Sequence, residues 1–203
     1  MKMSRMPKVD GRSPTGLSQS AALDPRLPTL DQDFSAVILA GGNSPRMGRD
    51  KAWLEVVSQR LLERQIELVR ATGAVEVFIS GRAATDYAGL GGRVLHDQFA
   101  NAGPLAGIER ALDAAASPLV LVLAVDLAAM SAELLRRLAA ASATNVGVVP
   151  RWNGKLEPLA AFYPKATHAM AVAHLARGNF AVKAFAERAA ELDSRNQRLA
   201  LLN

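Results

Sequence analysis

The apolar run Ala36-Val37-Ile38-Leu39-Ala40 passes without a break into Gly41 and Gly42. Its length and β-branched content predict a buried strand. A strand ending on adjacent glycines brings bare backbone amides close to whatever lies beyond the carboxyl edge of a sheet. That edge is where open α/β sheets bind ligands. Asn43, Ser44 and Pro45 follow, then Arg46-Met47-Gly48 and Asp50-Lys51. Arg46 and Lys51 supply cations from one short loop, which suits an anionic ligand with several phosphate oxygens. Spacing excludes two common phosphate loops. Five residues separate Gly42 from Gly48, and Arg49-Asp50 follows, so the P-loop pattern fails. The dinucleotide pattern G-x-G-x-x-G fails because Gly41 and Gly42 are adjacent.

At 203 residues the chain has room for one domain with a sizeable core and is short for two. Met1–Asp33 carries four prolines and no sustained apolar period, which predicts a flexible N-terminal extension; a single domain then runs from Phe34 to Asn203. The formal charge is +5, with Lys and Arg spread along the chain, so a small anionic partner is favoured over nucleic acid. The absence of cysteine excludes a disulfide framework, a thiol nucleophile and a thiolate metal site. No apolar run approaches a membrane span, and the N-terminus lacks the apolar core of a secretory signal. The expected setting is the cytoplasm.

Strand and helix patterns alternate after the glycines. Leu61, Leu62, Gln65, Ile66 and Val69 give a helical period within Leu54–Thr72, with Gly73 as C-terminal cap. Val75–Ser80 reads as a strand, Asp86–Leu90 as a short helix and Arg93–His96 as a further strand. Such alternation predicts a parallel sheet covered on both faces. Asp97 follows directly, and Gly103-Pro104-Leu105-Ala106-Gly107 starts a helix whose positive end can face an anionic group. Leu119–Asp126 is apolar on both faces, as a central parallel strand must be, and ends in one acid. A lone carboxylate there suits a hard divalent cation that also binds phosphate. Plainer roles exist for both acids: Asp97 capping its turn, Asp126 capping a helix that starts near Ser131. Asn145–Val149 and Glu157–Tyr163 read as strands joined by a turn at Pro150–Gly154, and Thr167–Arg177 and Ala181–Leu192 as helices. His96, His168 and His174 lack the spacing of a zinc site and read as structural or surface residues.

Leu39–Lys51 matches the pattern L-A-G-G-x-S-x-R-M-G-x-D-K without a gap and resembles the signature of the molybdenum cofactor guanylyltransferases. The resemblance implies an α/β fold: a three-layer, mostly parallel sheet with helices on both faces, the Rossmann-like nucleotidyltransferase (nucleotide-diphospho-sugar transferase) fold. It also implies transfer of GMP from GTP to a molybdopterin-type cofactor, with release of pyrophosphate. Leu39, Ala40, Gly41, Gly42 and Lys51 would then bind the nucleotide, with Asp97 and the Gly103 region at base or ribose. Asp126 would bind nucleotide and Mg2+, and Arg46, Lys51 and Asp126 would be the catalytic residues. Glu157-Pro158-Leu159 lies beside the region expected to receive the pterin, with Trp152, Asn153 and Lys155 as candidate contacts. Molybdoenzymes or their chaperones are the partners such a product implies.

The chain departs from the family pattern at two places. Leu127-Ala128-Ala129 replaces a segment with a proline soon after the Asp, and Leu201-Leu202-Asn203 stands about where an Asn-Thr-Pro turn would begin. A CTP- or UTP-dependent transferase acting on another phosphorylated acceptor, or a non-catalytic nucleotide or cofactor carrier, are the alternative readings.

Overall fold

A computed structural model describes residues 33–41, 53–56, 59–82, 85–143, 145–192 and 199–202. The expectations for residues 1–32 and for Gly42, Arg46 and Lys51 fall outside the described residues. In chain order the first elements are β1 (Phe34–Leu39), β2 (Glu55–Val56), β3 (Gln59–Arg60), α1 (Leu61–Ala71), β4 (Glu76–Ser80) and β5 (Arg93–Leu95). Next come α2 (Pro104–Ala114), β6 (Leu119–Ala124), α3 (Ala132–Ala141), β7 (Gly147–Trp152), β8 (Lys155–Leu156) and β9 (Ala160–Pro164). A 3-10 turn at Lys165–Thr167 leads into α4 (His168–Ala176), followed by α5 (Val182–Leu192) and β10 (Leu199–Leu202).

The main sheet has the order β5-β4-β1-β6-β9-β7-β10, with β8 paired to β7. β9 is antiparallel to both neighbours, β8 is antiparallel to β7, and the other pairings are parallel. Every residue of β1 and β6 is buried, which accounts for their apolar runs, with Ser35 the one polar residue in them. Alternate residues serve opposite layers. Ala36, Ile38, Leu121 and Leu123 pack with α1 and α3, whereas Val37, Val120 and Val122 pack with α2, α4 and α5. Burial of each such Leu or Ile side chain contributes roughly 1.5–3 kcal/mol. From β1 the chain builds outward to β4 and β5, then crosses back to place β6 on the other side of β1. That reversal makes a switch point between β1 and β6, where an open sheet leaves a crevice. No described helix is long and apolar enough to cross a membrane.

The amino edge carries a structural carboxylate. Ser35 Oγ donates to Glu76 Oε2 at 2.6 Å, and the Ala116 amide donates to the same oxygen at 2.8 Å. These bonds, the Ser35 one foremost, hold the Glu76 pKa below its ordinary 4.5. A depressed carboxylate pKa stabilises the fold above the unfolded-state value, and that stability is lost as pH falls through the folded-state value. Glu76→Gln should therefore have a lower urea midpoint at pH 7 and a shallower loss on acidification below about pH 4.5. Parallel curves for variant and wild type would contradict this role.

Several boundaries differ from expectation. α1 begins at Leu61 rather than near Leu54, because the apolar stripe starts only there; β2 and β3 form an antiparallel ribbon just before it. Asp86–Leu90 is not helical. Asp86 Oδ1 accepts the Ala88 amide at 2.8 Å, closing a local turn that competes with helix. The expected strand from Glu157 begins only at Ala160, since the Ala160 amide turns back to the Glu157 carbonyl and Pro158 has no amide to give.

Candidate active site

The carboxyl ends of the central strands are laced together. The Leu39 carbonyl accepts from Val125 N at 3.2 Å, and Ala124 N donates to the Leu159 carbonyl at 2.9 Å. The Ser80 carbonyl accepts from both Ala40 N, at 2.8 Å, and Gly41 N, at 2.9 Å. Gly41 thus does not offer its amide to a ligand as expected, because the parallel ladder runs on past the end of β1. A Cβ there would lie 3.4 Å from the Gly81 backbone, an ordinary contact.

Gly81 is the seat of an aromatic stack. A Cβ on it would come within 2.3 Å of the Tyr87 ring, and Tyr87 Oη accepts the Arg82 amide at 3.0 Å. Trp53 stacks on Tyr87 with centroids 6.2 Å apart, and the Arg60 guanidinium lies 4.9 Å from the Trp53 ring. The stack anchors the chain beside the strand ends two residues after Lys51. Nothing local signals it, since Tyr87 and Trp53 are far apart in sequence.

Asp97, just past β5, is exposed, and Ser80 Oγ donates to its Oδ1 at 3.5 Å, the outer limit of a hydrogen bond. Loss of water around the carboxyl raises the Asp97 pKa; the Ser80 bond opposes this and the Glu109 carboxyl adds to it. A raised carboxylate pKa makes the folded state less stable as pH rises through the window between the unfolded and folded values. Asp97→Asn should accordingly melt no lower than wild type at pH 7 while binding nucleotide more weakly. A lower melting point with unchanged affinity would mean that Asp97 only closes its turn. Behind it, Glu109 is 3% exposed and its Oε1 lies 2.8 Å from His168 Nε2, tying α2 to α4. His168 is structural, as expected.

Gly103 is the N-cap of α2, with φ 66° and ψ −156°, and Pro104 starts the helix as predicted. Gly107 lets α2 sit directly over the ends of β1 and β4, for a Cβ there would lie 2.3 Å from Ser80 Oγ and 2.9 Å from Leu39 Cδ2.

Asp126 is exposed at the carboxyl end of β6, beside the switch point. Its turn closes through Leu127 N to Ala124 O at 3.3 Å, Ala128 N to Asp126 O at 2.9 Å and Met130 N to Leu127 O at 3.0 Å. A proline is not needed to shape it. Ser131 Oγ accepts the Leu134 amide at 3.2 Å, so the cap of α3 belongs to Ser131 and not to Asp126. Among the described residues no cluster of three or more His, Asp or Glu could enclose a metal. One carboxylate completed by ligand phosphates and water is nevertheless the hard-oxygen set that Mg2+ takes, so Asp126 fits that ion. β4 and β6 flank β1, which sets the Ser80 and Ala124 ends about 10 Å apart. Leu39, Ala40, Gly41, Asp97, Gly103 and Asp126 therefore share one edge of the sheet.

Residues 36–192 match the MobA-like NTP transferase domain. The chain belongs to the MobA-like NTP transferase family. It is 39% identical over 155 residues to a protein of Opitutus terrae named "Probable molybdenum cofactor guanylyltransferase", covering 75% of this chain and 77% of that one. It is 35% identical over 144 residues to a Carboxydothermus hydrogenoformans protein of the same name, covering 71% and 72%. The fold of this MobA-like transferase is also that of molybdopterin-guanine dinucleotide biosynthesis protein A from Archaeoglobus fulgidus, with TM-score 0.60, 19% identity and coverage of 80% and 87%. A manganese complex of Rv0371C from Mycobacterium tuberculosis shares it at TM-score 0.54 and 15% identity, with coverage of 84% and 87%. The nucleotidyltransferase fold expected from Leu39–Lys51 is the fold observed.

At the same sheet edge, beyond β9, a hairpin projects from β7 and β8. Its two-residue turn, Asn153 (φ 49°) and Gly154 (φ 76°), leaves the Trp152 side chain 71% exposed. Tyr163 Oη donates to the Pro158 carbonyl at 2.9 Å, and complete burial pushes this phenol's pKa up, keeping it a donor. Glu157-Pro158-Leu159 is thereby pinned between the hairpin and β6.

Proposed function

We propose that this chain transfers GMP from GTP to the terminal phosphate of a molybdopterin-type cofactor, with release of pyrophosphate. The observation that carries the reading is the convergence of the Leu39-Ala40-Gly41 strand end and Asp126 at the switch point between β1 and β6. The attacking phosphate oxygen is already ionised near neutral pH, so neither a general base nor a covalent nucleophile is required. What the reaction needs is two polyanions held in line and their charge neutralised. Asp126, with the nucleotide phosphates, would hold Mg2+, which when bound supplies charge for the α-phosphate and the leaving pyrophosphate. Asp97 and the Gly103 turn would contact base or ribose. Lys51 would bridge the phosphates, and Arg46 would stabilise the departing pyrophosphate. The exposed Trp152, with Asn153 and Lys155, offers a stacking surface for the acceptor's ring system beside Pro158-Leu159. The unit proposed to act is the matched region 36–192, working in the cytoplasm, where molybdoenzymes or their chaperones would collect the product.

Lys51→Ala and Arg46→Ala should each lower kcat about 10²–10³-fold with a smaller change in the KM for GTP. A raised KM for GTP with kcat unchanged would place these cations in ground-state binding instead. Base choice is tested by calorimetry with GTP, CTP, ATP and UTP in the presence of Mg2+. GTP should bind best; a preference for CTP would keep the fold and overturn the substrate.

A further inference from the structure

The apolar stripe of α1 contains a polar residue that packing alone does not explain. Gln65 is 0% exposed among Leu61, Leu62, Ile66 and Val69. A buried amide is costly unless bonded, and a stripe chosen for packing would place Leu or Met there. Its Nε2 donates to the Leu127 carbonyl at 2.9 Å and to the Val125 carbonyl at 3.5 Å. These are the carbonyls on either side of Asp126. Because both neighbours are acceptors, the amide must turn its NH2 towards them, and among the described residues Gln65 Oε1 then has no partner. Next to it on the helix, Arg64 Nη2 donates to the Met130 carbonyl at 3.2 Å, where the same turn ends. Side chains from α1 thus grip the Asp126 turn at its start, middle and end, and the turn's own backbone bonds close it from within.

We propose that Gln65, braced by Arg64, is the positioning residue that holds the Asp126 carboxylate at the switch point in the geometry a divalent cation needs. This rests on the metal role proposed for Asp126. It assigns a task to α1, which otherwise only covers the sheet, and it accounts for a turn that keeps its shape without a proline. Residues that orient a metal ligand typically change metal affinity 10–100-fold when removed.

The test is Mn2+ binding by electron paramagnetic resonance in the presence of GTP, with GTP affinity measured separately without metal. Gln65→Met keeps the volume and removes both donors. It should weaken Mn2+ about 10-fold or more while metal-free GTP affinity changes less than about twofold. Amide exchange across Val125–Met130 should quicken in the same variant. Arg64→Met should act in the same direction by a smaller factor, and it carries the test if Gln65→Met does not fold. Unchanged Mn2+ affinity, or parallel weakening of Mn2+ and metal-free GTP, would overturn the positioning role. If wild type binds no Mn2+ with GTP present, the metal role of Asp126 fails first, and the positioning role with it.

Discussion

Asp126→Asn should abolish Mg2+-dependent pyrophosphate release and leave the fold almost untouched. The side chain is exposed, so no core packing is lost, and α3 keeps its start because Ser131 supplies the cap. Its stability should stay within about 0.5 kcal/mol of wild type, as for most surface substitutions. The chemical effect is of another order. The variant exchanges an anionic oxygen for a neutral amide of the same shape, at the position proposed to bring a hard cation and the phosphates together. Loss of one such preorganised charge interaction costs about 10²–10³-fold in kcat, and loss of the metal site costs more. Steady-state assays with Mg2+ varied to saturation distinguish the possibilities. Wild-type turnover at high Mg2+ would remove Asp126 from the site.

The second large effect is expected at the start of α2. Helix propensity alone says that Gly107→Ala should stabilise the protein by about 1 kcal/mol. The surroundings say otherwise. The new methyl would meet Ser80 Oγ at 2.3 Å, and both Leu39 Cδ2 and Ser80 Cβ at 2.9 Å. Rotation of the Ser80 hydroxyl relieves only the first contact, and it removes the bond to Asp97. Overpacking of this kind costs about 1–3 kcal/mol, so the clash outweighs the propensity. The helix must ride up, carrying the Gly103 turn away from the β1 end. Gly103→Ala should lose a similar amount for another reason: nothing lies in the way of its Cβ, but φ 66° with ψ −156° belongs to glycine, at a cost of about 1–3 kcal/mol for other residues. Urea midpoints should fall in both variants, and calorimetry should find GTP binding weakened in both. A more stable Gly107→Ala would mean that α2 sits looser on the sheet than the packing shows.

Which features were readable in the chain follows from how local their causes are. β1 and β6 are buried on both faces, so apart from Ser35, which is bonded to Glu76, their residues had to be apolar, and such a run announces itself. The start of α2 was readable because Pro104 is tolerated only in a first turn. The edge residues Leu39, Ala40, Asp97, Gly103 and Asp126 were readable because strand ends and helix starts place them. Contacts between distant segments left no such mark. The seat of Tyr87 on Gly81 and the reach of Gln65 to the Asp126 turn depend on the fold as a whole. The turn at Pro150–Gly154 signals a reversal after β7, but the placing of β9 beside β6 has no local signature, since that pairing is decided by what lies alongside. The pairing of the Gly41 amide was hidden for a related reason. Adjacent glycines suggest open amides, yet the ladder with Ser80 takes the first of them.

The most direct measurement of the central claim is pyrophosphate release by the full chain with Mg2+ and a molybdopterin-type acceptor, comparing GTP with CTP. Acceptor-dependent release from GTP, with the guanine dinucleotide recovered as product and little release from CTP, is the result expected. Release that needs no acceptor, that prefers CTP, or that never occurs although GTP binds would contradict it.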